Sequence, residues 1–139
     1  MDKICSLYLN NFRNYSDKKF VFNPGCNLFH GKNGLGKTNL LEALFLISTG
    51  KSFRTSHLKE LIREGSSFFY IEAEYIKNDV TQTLSLYFDG KIKRMNHNHT
   101  TFAHFTNLLG LFPTILIAPE DVQLVNEGPS ERRNFLDLH

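Results

Sequence analysis

One segment of the chain matches a phosphate-binding loop, the pattern G-x-x-x-x-G-K-[S/T]. Glycines at positions 31, 34 and 36 allow positive φ angles, so that successive backbone N–H groups can converge on anionic oxygens. The lysine supplies a mobile ammonium group for the β- and γ-phosphates of a nucleotide, and the threonine hydroxyl is placed to ligate Mg2+. The predicted phosphate-binding residues are Gly31, Lys32, Asn33, Gly34, Leu35, Gly36, Lys37 and Thr38, and Thr38 is also the predicted metal ligand.

The neighbours of this loop have the pattern that the motif requires, which is a strand, the loop and then a helix. The predicted strand covers Cys26 to His30, and an apolar helical stretch runs from Asn39 to Thr49, where Gly50 is a suitable C-cap. The helix N-terminus also favours an anion because its first N–H groups are unpaired. The alternative is a glycine-rich turn without a ligand, but such a turn does not require Lys-Thr after its last glycine.

Composition is compatible with a single domain, or part of one, since 139 residues with 41% hydrophobic content can bury one core. Sixteen basic and fourteen acidic residues give a net charge of +2, which neither requires nor excludes nucleic acid. Cys5 and Cys26 have no metal-ligand spacing, so we expect reduced cysteines in a cytoplasmic protein. No stretch approaches the roughly 20 apolar residues of a membrane span, so no membrane association is expected.

Alternating patterns and turn residues predict a mixed α and β organisation. After a helix over residues 57–63, two strands joined near Asn78-Asp79 and a third strand form an antiparallel meander. The run from Thr114 to Ala118 is short and apolar, as a buried strand would be. The predicted strands are 3–9, 18–22, 26–30, 68–77, 80–88, 91–95 and 114–118, and the further helices are 101–109, 120–125 and 131–138.

The end of the chain lacks the features that close a domain. The last predicted helix reaches His139 without a glycine, proline or polar tail, so we expect the chain to be the N-terminal part of a longer protein. Hydrolysis by a P-loop protein needs an acidic residue at the end of an apolar strand. Glu120 and Asp121 follow such a strand, but Pro119 intervenes, and we interpret both acids as first-turn residues that complement a helix dipole.

Several segments, in this order and at these separations, resemble the RecF family of bacterial DNA replication and repair proteins. The similarity spans nearly all 139 residues, and the loop alone is shared by many NTPases. The other segments are far more specific. They are the sequence NFRNY at 11–15, NLLEA at 39–43, TGKSFRT at 49–55, APED at 118–121 and GPSERR at 128–133.

The resemblance implies an α/β fold, a P-loop NTPase of the ABC/SMC-head type whose mixed sheet includes an antiparallel meander. It implies ATP and Mg2+ as cofactors, a DNA-dependent ATPase, and an ATP-dependent homodimer in the full-length protein. Single-stranded or gapped DNA and the RecO and RecR proteins are the implied partners, in replication, recombinational repair and the SOS response. The family's signature and Walker B motifs have no matching segment here, so no catalytic residue is assigned within the chain.

Three further sets of candidate residues follow from the same resemblance, each with a plain alternative. Arg13 and Asn14 are similar to residues near the nucleotide in SMC-like heads, or they simply belong to a polar loop. Gln123 follows a buried strand, as does the Mg2+-sensing glutamine of ABC heads, or it is a solvated helix residue. Lys51 and Arg54 face phosphate or a partner, or they are ordinary charges at a helix C-terminus.

Basic and histidine-rich segments allow functional and structural interpretations. Lys91, Lys93 and Arg94 are more simply residues that discourage aggregation at a sheet edge than DNA contacts. The spacing of His97, His99 and His104 matches no closed zinc site, so we predict no zinc. Aromatic residues along the strands are interpreted as core. Arg132 and Arg133 could meet phosphate or acidic groups.

Three functional classes are therefore compared. The first is a RecF-like, DNA-repair ATPase head, which the motifs favour. The second is an enzyme of another P-loop class, such as a small-molecule kinase, for which no arginine-bearing lid or base-specific pocket is evident. The third is a structural interaction module with a non-functional loop.

Overall fold

The computed structural model describes residues 3–102 and 111–117, which form one antiparallel sheet, one α-helix and a single 3-10 turn. Long alternating segments form the strands, and the apolar stretch after the glycine loop forms the helix. The elements are β1 Lys3–Phe12, β2 Tyr15–Val21, α1 Lys37–Thr49, the 3-10 turn Leu58–Leu61, β3 Phe69–Lys77, β4 Val80–Phe88, β5 Lys93–His97 and β6 Thr100–Phe102.

The six strands lie in the order β2-β1-β3-β4-β5-β6, and every pairing is antiparallel. The described part of the predicted mixed sheet therefore consists of antiparallel pairs alone. The hairpin between β3 and β4 confirms the predicted turn, because Asn78 and Asp79 have φ angles of 51° and 61°. Two successive positive φ angles match the right-handed twist of the strands that they join. The phosphate-loop segment and α1 lie in the connection between β2 and β3, while β1 pairs directly with β3.

The core lies where α1 packs on one face of the sheet. Leu40, Ala43, Leu46 and Ile47 are all at most 1% exposed and share one side of α1 by their spacing of three and four residues. Alternate residues of the strands cover this helix face. They are Leu7, Leu9, Phe69, Ile71, Ala73, Tyr75, Leu84, Leu86, Phe88 and Met95. The prediction that strand aromatics are core residues is confirmed for Phe69, Tyr75 and Phe88, whereas Phe68, Tyr70 and Tyr87 lie outside this core.

Two predicted strands are absent from the structure. Residues 26–30 have no strand pairing, and Leu28 is 82% exposed. Residues 114–117 are also irregular, with Ile115 and Ile117 at 89% and 81% exposure, so the prediction of a buried strand there is wrong. A strand needs a pairing partner to satisfy its backbone groups, and neither segment has one within the part of the chain that the structure describes.

Smaller corrections concern element ends and helix type. β5 begins at Lys93 because Asp89 Oδ1 accepts hydrogen bonds from the amides of Lys91 and Ile92, which keeps both in the turn. The helix predicted at 57–63 is a single 3-10 turn. Thr101 and Phe102 belong to β6 rather than to a helix. The remainder of that helix, Ala118 and every prediction from residue 119 onward lie outside the described residues, as does His104.

Both cysteines are free thiols, as predicted, with Cys26 exposed and Cys5 half-buried. In the two ranges that the structure describes, none of the helices has the length and apolar character needed to cross a bilayer.

Candidate phosphate-binding site

The loop at residues 31–38 has the backbone that its glycines predict. Gly31, Gly34 and Gly36 have φ angles of 142°, 84° and 95°, which residues with a Cβ rarely adopt. At Gly36 the space is closed as well, since a Cβ would lie 2.7 Å from the Tyr15 hydroxyl oxygen. The loop conformation therefore depends on glycine both for its angles and, at Gly36, for its fit against the protein.

The lysine side chain folds over this loop. Lys37 Nζ donates to the carbonyl oxygens of Gly31 and Lys32 at 2.7 and 2.8 Å. These bonds hold the ammonium group above the mouth of the loop, where a third proton remains available for an anion. Thr38 is exposed at the start of α1, so its hydroxyl is accessible to a metal ion.

The N-terminus of α1 presents unpaired donors. The first helical bond runs from the Leu40 amide to the Gly36 carbonyl at 2.9 Å, so the amides just before Leu40 have no helical acceptor. Within the described residues, no side chain caps this end, and no acidic residue lies in the first turn of α1. Amides, a positive dipole end and an ammonium group form a donor set that fits the oxygens of a triphosphate.

A buried carboxylate sits one turn further along α1. Glu42 is 0% exposed and accepts two bonds from Arg13, through Nε at 2.9 Å and Nη2 at 2.8 Å. Arg54 Nη1 donates to the same carboxylate at 3.1 Å, and the Ser52 hydroxyl donates to it at 2.6 Å. Four bonds from three side chains thus compensate the cost of burying this charge.

These contacts also determine the ionisation of Glu42. Burial by itself raises the pKa of this carboxyl, but hydrogen bonds from Arg13 and Ser52 and the charges of Arg13 and Arg54 outweigh it, so the pKa of Glu42 is lowered. The carboxylate is therefore charged at neutral pH and anchors two separate segments to α1.

The other predicted site residues have different positions. Arg13 and Arg54 are brought together at Glu42 rather than spread over a loop and a helix end. Asn14 lies beside the loop and accepts a bond from Asn39 Nδ2 at 2.8 Å. Lys51 is exposed, and Gln123 lies outside the described residues.

The predicted basic cluster on β5 is divided. Lys93 is half-buried, and its Nζ donates to the carbonyl oxygen of Gly50 at the end of α1. Desolvation lowers the pKa of Lys93. Lys91 and Arg94 are exposed, so they remain available for contacts with solvent or a partner.

The histidine segment has a packing role in the structure. His97 Nε2 lies 2.6 Å from Gln82 Oε1 and 3.1 Å from the Tyr75 hydroxyl oxygen. Across residues 3–102 and 111–117, no group of three or more metal-ligating side chains is assembled.

Sequence patterns missed four residues of this site, which are Tyr15, Asn39, Glu42 and Ser52. A signal existed for Glu42, because a carboxylate inside an apolar helical stretch is rarely buried without a partner. Its partners come from positions 13, 52 and 54, and helix periodicity does not specify contacts over such separations.

Comparison with known proteins identifies the family. The model of the AAA domain family matches residues 6–121. The chain belongs to the AAA domain family. RecF of Chlamydia trachomatis is 45% identical over 136 residues, covering 98% of this chain and 37% of the relative. RecF of Protochlamydia amoebophila is 45% identical over 133 residues, covering 96% of this chain and 37% of the relative.

Solved structures of RecF and of an SMC ATPase also resemble this AAA-family chain. A structure of the recombination mediator protein RecF with ATP, in the RecFOR pathway, matches with a TM-score of 0.86 and 33% identity, covering 99% of this chain and 38% of that one. A structure from work on ATP-driven dimerisation and DNA-stimulated activation of SMC ATPases has a TM-score of 0.76 and 21% identity, covering 96% and 97% of the two chains. The resemblance to RecF and the P-loop ATPase-head fold are thus confirmed, and the chain spans over a third of the length of its curated relatives.

Proposed function

We propose that the chain is the nucleotide-binding part of a RecF-like ATPase head and that residues 31–38 bind ATP with Mg2+. The observation that carries this proposal is the loop itself, with three glycines at positive φ, Lys37 over its mouth and the uncapped start of α1. A RecF relative has been solved with ATP. In this assignment Lys37 and the loop amides hold the phosphates, and the Thr38 hydroxyl holds Mg2+.

The wider role follows from the relatives rather than from the site. DNA replication and repair is the role named for the RecF relatives, and ATP-driven dimerisation is named for the SMC relative. We extend both to the full-length protein, as a cytoplasmic head that acts in recombinational repair and the SOS response. Its partners would be single-stranded or gapped DNA, RecO, RecR and a second copy of the head. Fluorescence anisotropy titration with gapped DNA tests the DNA assignment, and an affinity that does not fall as the salt concentration rises would contradict it.

A thermal unfolding experiment tests nucleotide binding directly. A ligand that binds only the folded state at 100 times its Kd stabilises that state by about 2.7 kcal/mol, so ATP with Mg2+ should raise the Tm by several degrees. Lys37→Met should abolish the shift because it removes the ammonium group at the loop. Lys19→Met is the control, since Lys19 is an exposed cation on β2, and it should keep the full shift.

The outcomes separate the three functional classes. A Tm that ATP does not change would contradict both nucleotide-binding classes and would favour the structural interaction module. Turnover of a small phosphate acceptor by the chain would favour a kinase. An ATP-dependent shift that Lys37→Met removes, without such turnover, supports the RecF-like head.

A further inference from the structure

The turn between β1 and β2 contacts the phosphate loop and α1 in a regular way. Three successive residues, the two turn residues and the first residue of β2, contact three α1-side residues that are spaced three apart. The two series run in opposite directions. Residues three apart lie on nearly the same face of a helix, so the turn follows one face of α1. The pairs are Arg13 with Glu42, Asn14 with Asn39, and Tyr15 with Gly36.

The Tyr15 contact falls on the peptide unit where the loop becomes a helix. The Tyr15 hydroxyl donates to the carbonyl oxygen of Gly36 at 3.0 Å, and the amide of Leu40 donates to the same oxygen at 2.9 Å. Burial raises the pKa of Tyr15, so the hydroxyl keeps its proton and remains a donor. Two donors from different directions therefore fix the orientation of this carbonyl group.

Fixing that carbonyl also fixes the neighbouring N–H. The peptide unit between Gly36 and Lys37 is planar and trans, so its C=O and N–H point in opposite directions. With the carbonyl directed along α1 towards Leu40, the Lys37 amide is directed back towards the loop mouth. This is the direction in which an anion at the helix N-terminus would lie.

The same face of α1 is also held by the segment that follows the helix. Arg54 Nη1 donates to Asn39 Oδ1 at 2.8 Å and to Glu42 Oε2 at 3.1 Å. Asn39 thus donates to the turn through Asn14 and accepts from Arg54. The turn is tied to α1 through residues that a second segment also holds.

We infer that residues 13–15, which are the β1–β2 turn and the first residue of β2, form a positioning clamp for the phosphate loop, in which Tyr15 directs the Lys37 amide towards the phosphate oxygens of a nucleotide. The inference rests on the proposed ATP site and adds positioning residues to it. The Tyr15 hydroxyl contacts the loop backbone, and Asn39 and Glu42 hold the turn in place. Loss of the Tyr15 hydroxyl should therefore weaken phosphate binding even though the donor set is intact.

Tyr15→Phe tests the clamp because it removes the hydroxyl and keeps the ring, which packs edge-to-face on Phe20 at 5.5 Å. Calorimetric titration with ATP and Mg2+ should show affinity about three- to tenfold weaker, as loss of one hydrogen bond predicts. Hydrogen exchange without nucleotide should become faster at the Leu40 amide, which donates to the same Gly36 carbonyl as Tyr15, and stay unchanged in β3 and β4. A purely structural role would lower the Tm and leave the affinity of the folded chain as it was.

Tyr8→Phe is the matched control, since its hydroxyl donates to Asp17 at 2.8 Å on an exposed part of the sheet. It should change neither affinity nor exchange at the loop. Affinity of Tyr15→Phe within twofold of the parent chain would overturn the inference. If the parent chain binds no ATP, the proposed function fails, and the exchange measurement then decides the clamp alone. Unchanged exchange at the Leu40 amide overturns it, and faster exchange confined to the start of α1 supports it.

Discussion

The sheet and the loop side of the molecule differ in how their apolar residues are covered. In the sheet, Leu7, Ile71 and Leu86 are at most 1% exposed. Outside the sheet, Leu28 and Ile117 are more than 80% exposed, although their segments are as apolar as the strands. The difference shows that a strand-like apolar segment is buried only where a neighbouring strand is available to pair with it.

The loop side is instead held by polar contacts. Glu42 and its partners join the β1–β2 turn, α1 and the segment after α1, and the 0% exposure of this carboxylate makes it as buried as the sheet core. One region therefore depends on packed apolar area, and the other depends on a few directional bonds. Each type of stabilisation responds to a different substitution, and the following predictions use that difference.

The largest expected effect contrasts two isoleucines. Ile71→Ala removes a fully buried side chain from the sheet and should cost about 2–5 kcal/mol of unfolding free energy, from lost transfer and cavity formation. Ile117→Ala should change it by less than about 0.5 kcal/mol because that side chain is 81% exposed. Urea unfolding of both variants measures this. A cost of 2 kcal/mol or more for Ile117→Ala would mean that the segment is packed in solution.

A smaller loss is expected at the polar centre of the loop side. Glu42→Ala leaves two guanidinium groups without their shared carboxylate and should destabilise the chain by about 3 kcal/mol. The value is at the low end for a broken buried pair because Arg54 is 41% exposed. Glu64→Ala, at an exposed carboxylate, is the control and should stay within about 0.5 kcal/mol of the parent chain. Equal unfolding free energies for the two variants would show that Glu42 stabilises the fold no more than an exposed carboxylate does.

The smallest effect is a change in acid sensitivity. The pKa of Glu42 is lowered on folding from its ordinary value of 4.5, so the unfolded chain takes up a proton more readily. The stabilisation is present above pH 4.5 and is lost as pH falls through the lower pKa of the folded state. Glu42→Gln should therefore lose less stability than the parent chain as pH falls below that value. Urea midpoints across this range measure the slopes, and an unchanged slope, with Glu64→Gln as control, would refute the assignment.

Much of the fold could be predicted from sequence because its signals are local. Asn78-Asp79 specified the β3–β4 hairpin, and Gly50 specified the end of α1, where it has a φ of 75°. The positive φ angles of Gly31, Gly34 and Gly36 were also predicted from local sequence, while phosphate binding by residues 31–38 stays a prediction. These features depend on residues that are close in the chain.

The remainder depends on contacts that periodicity does not encode. Residues 114–117 have the composition of a buried strand, yet burial needs a partner that composition does not name. Arg13 and Arg54 were identified as charges of interest, but their common partner, Glu42, was identified only from the structure. Tyr15 was missed because its role depends on one hydroxyl meeting one carbonyl across 21 positions.

The bond from Lys93 to the Gly50 carbonyl has a consequence for the order of assembly. α1 has no basic residue in its last turn, and the cation that neutralises this end comes from β5, 43 positions later. That ammonium group reaches the helix only when β5 has paired with β4. The end of α1 is thus completed by a non-local contact, whose formation requires closure of a loop of 43 positions.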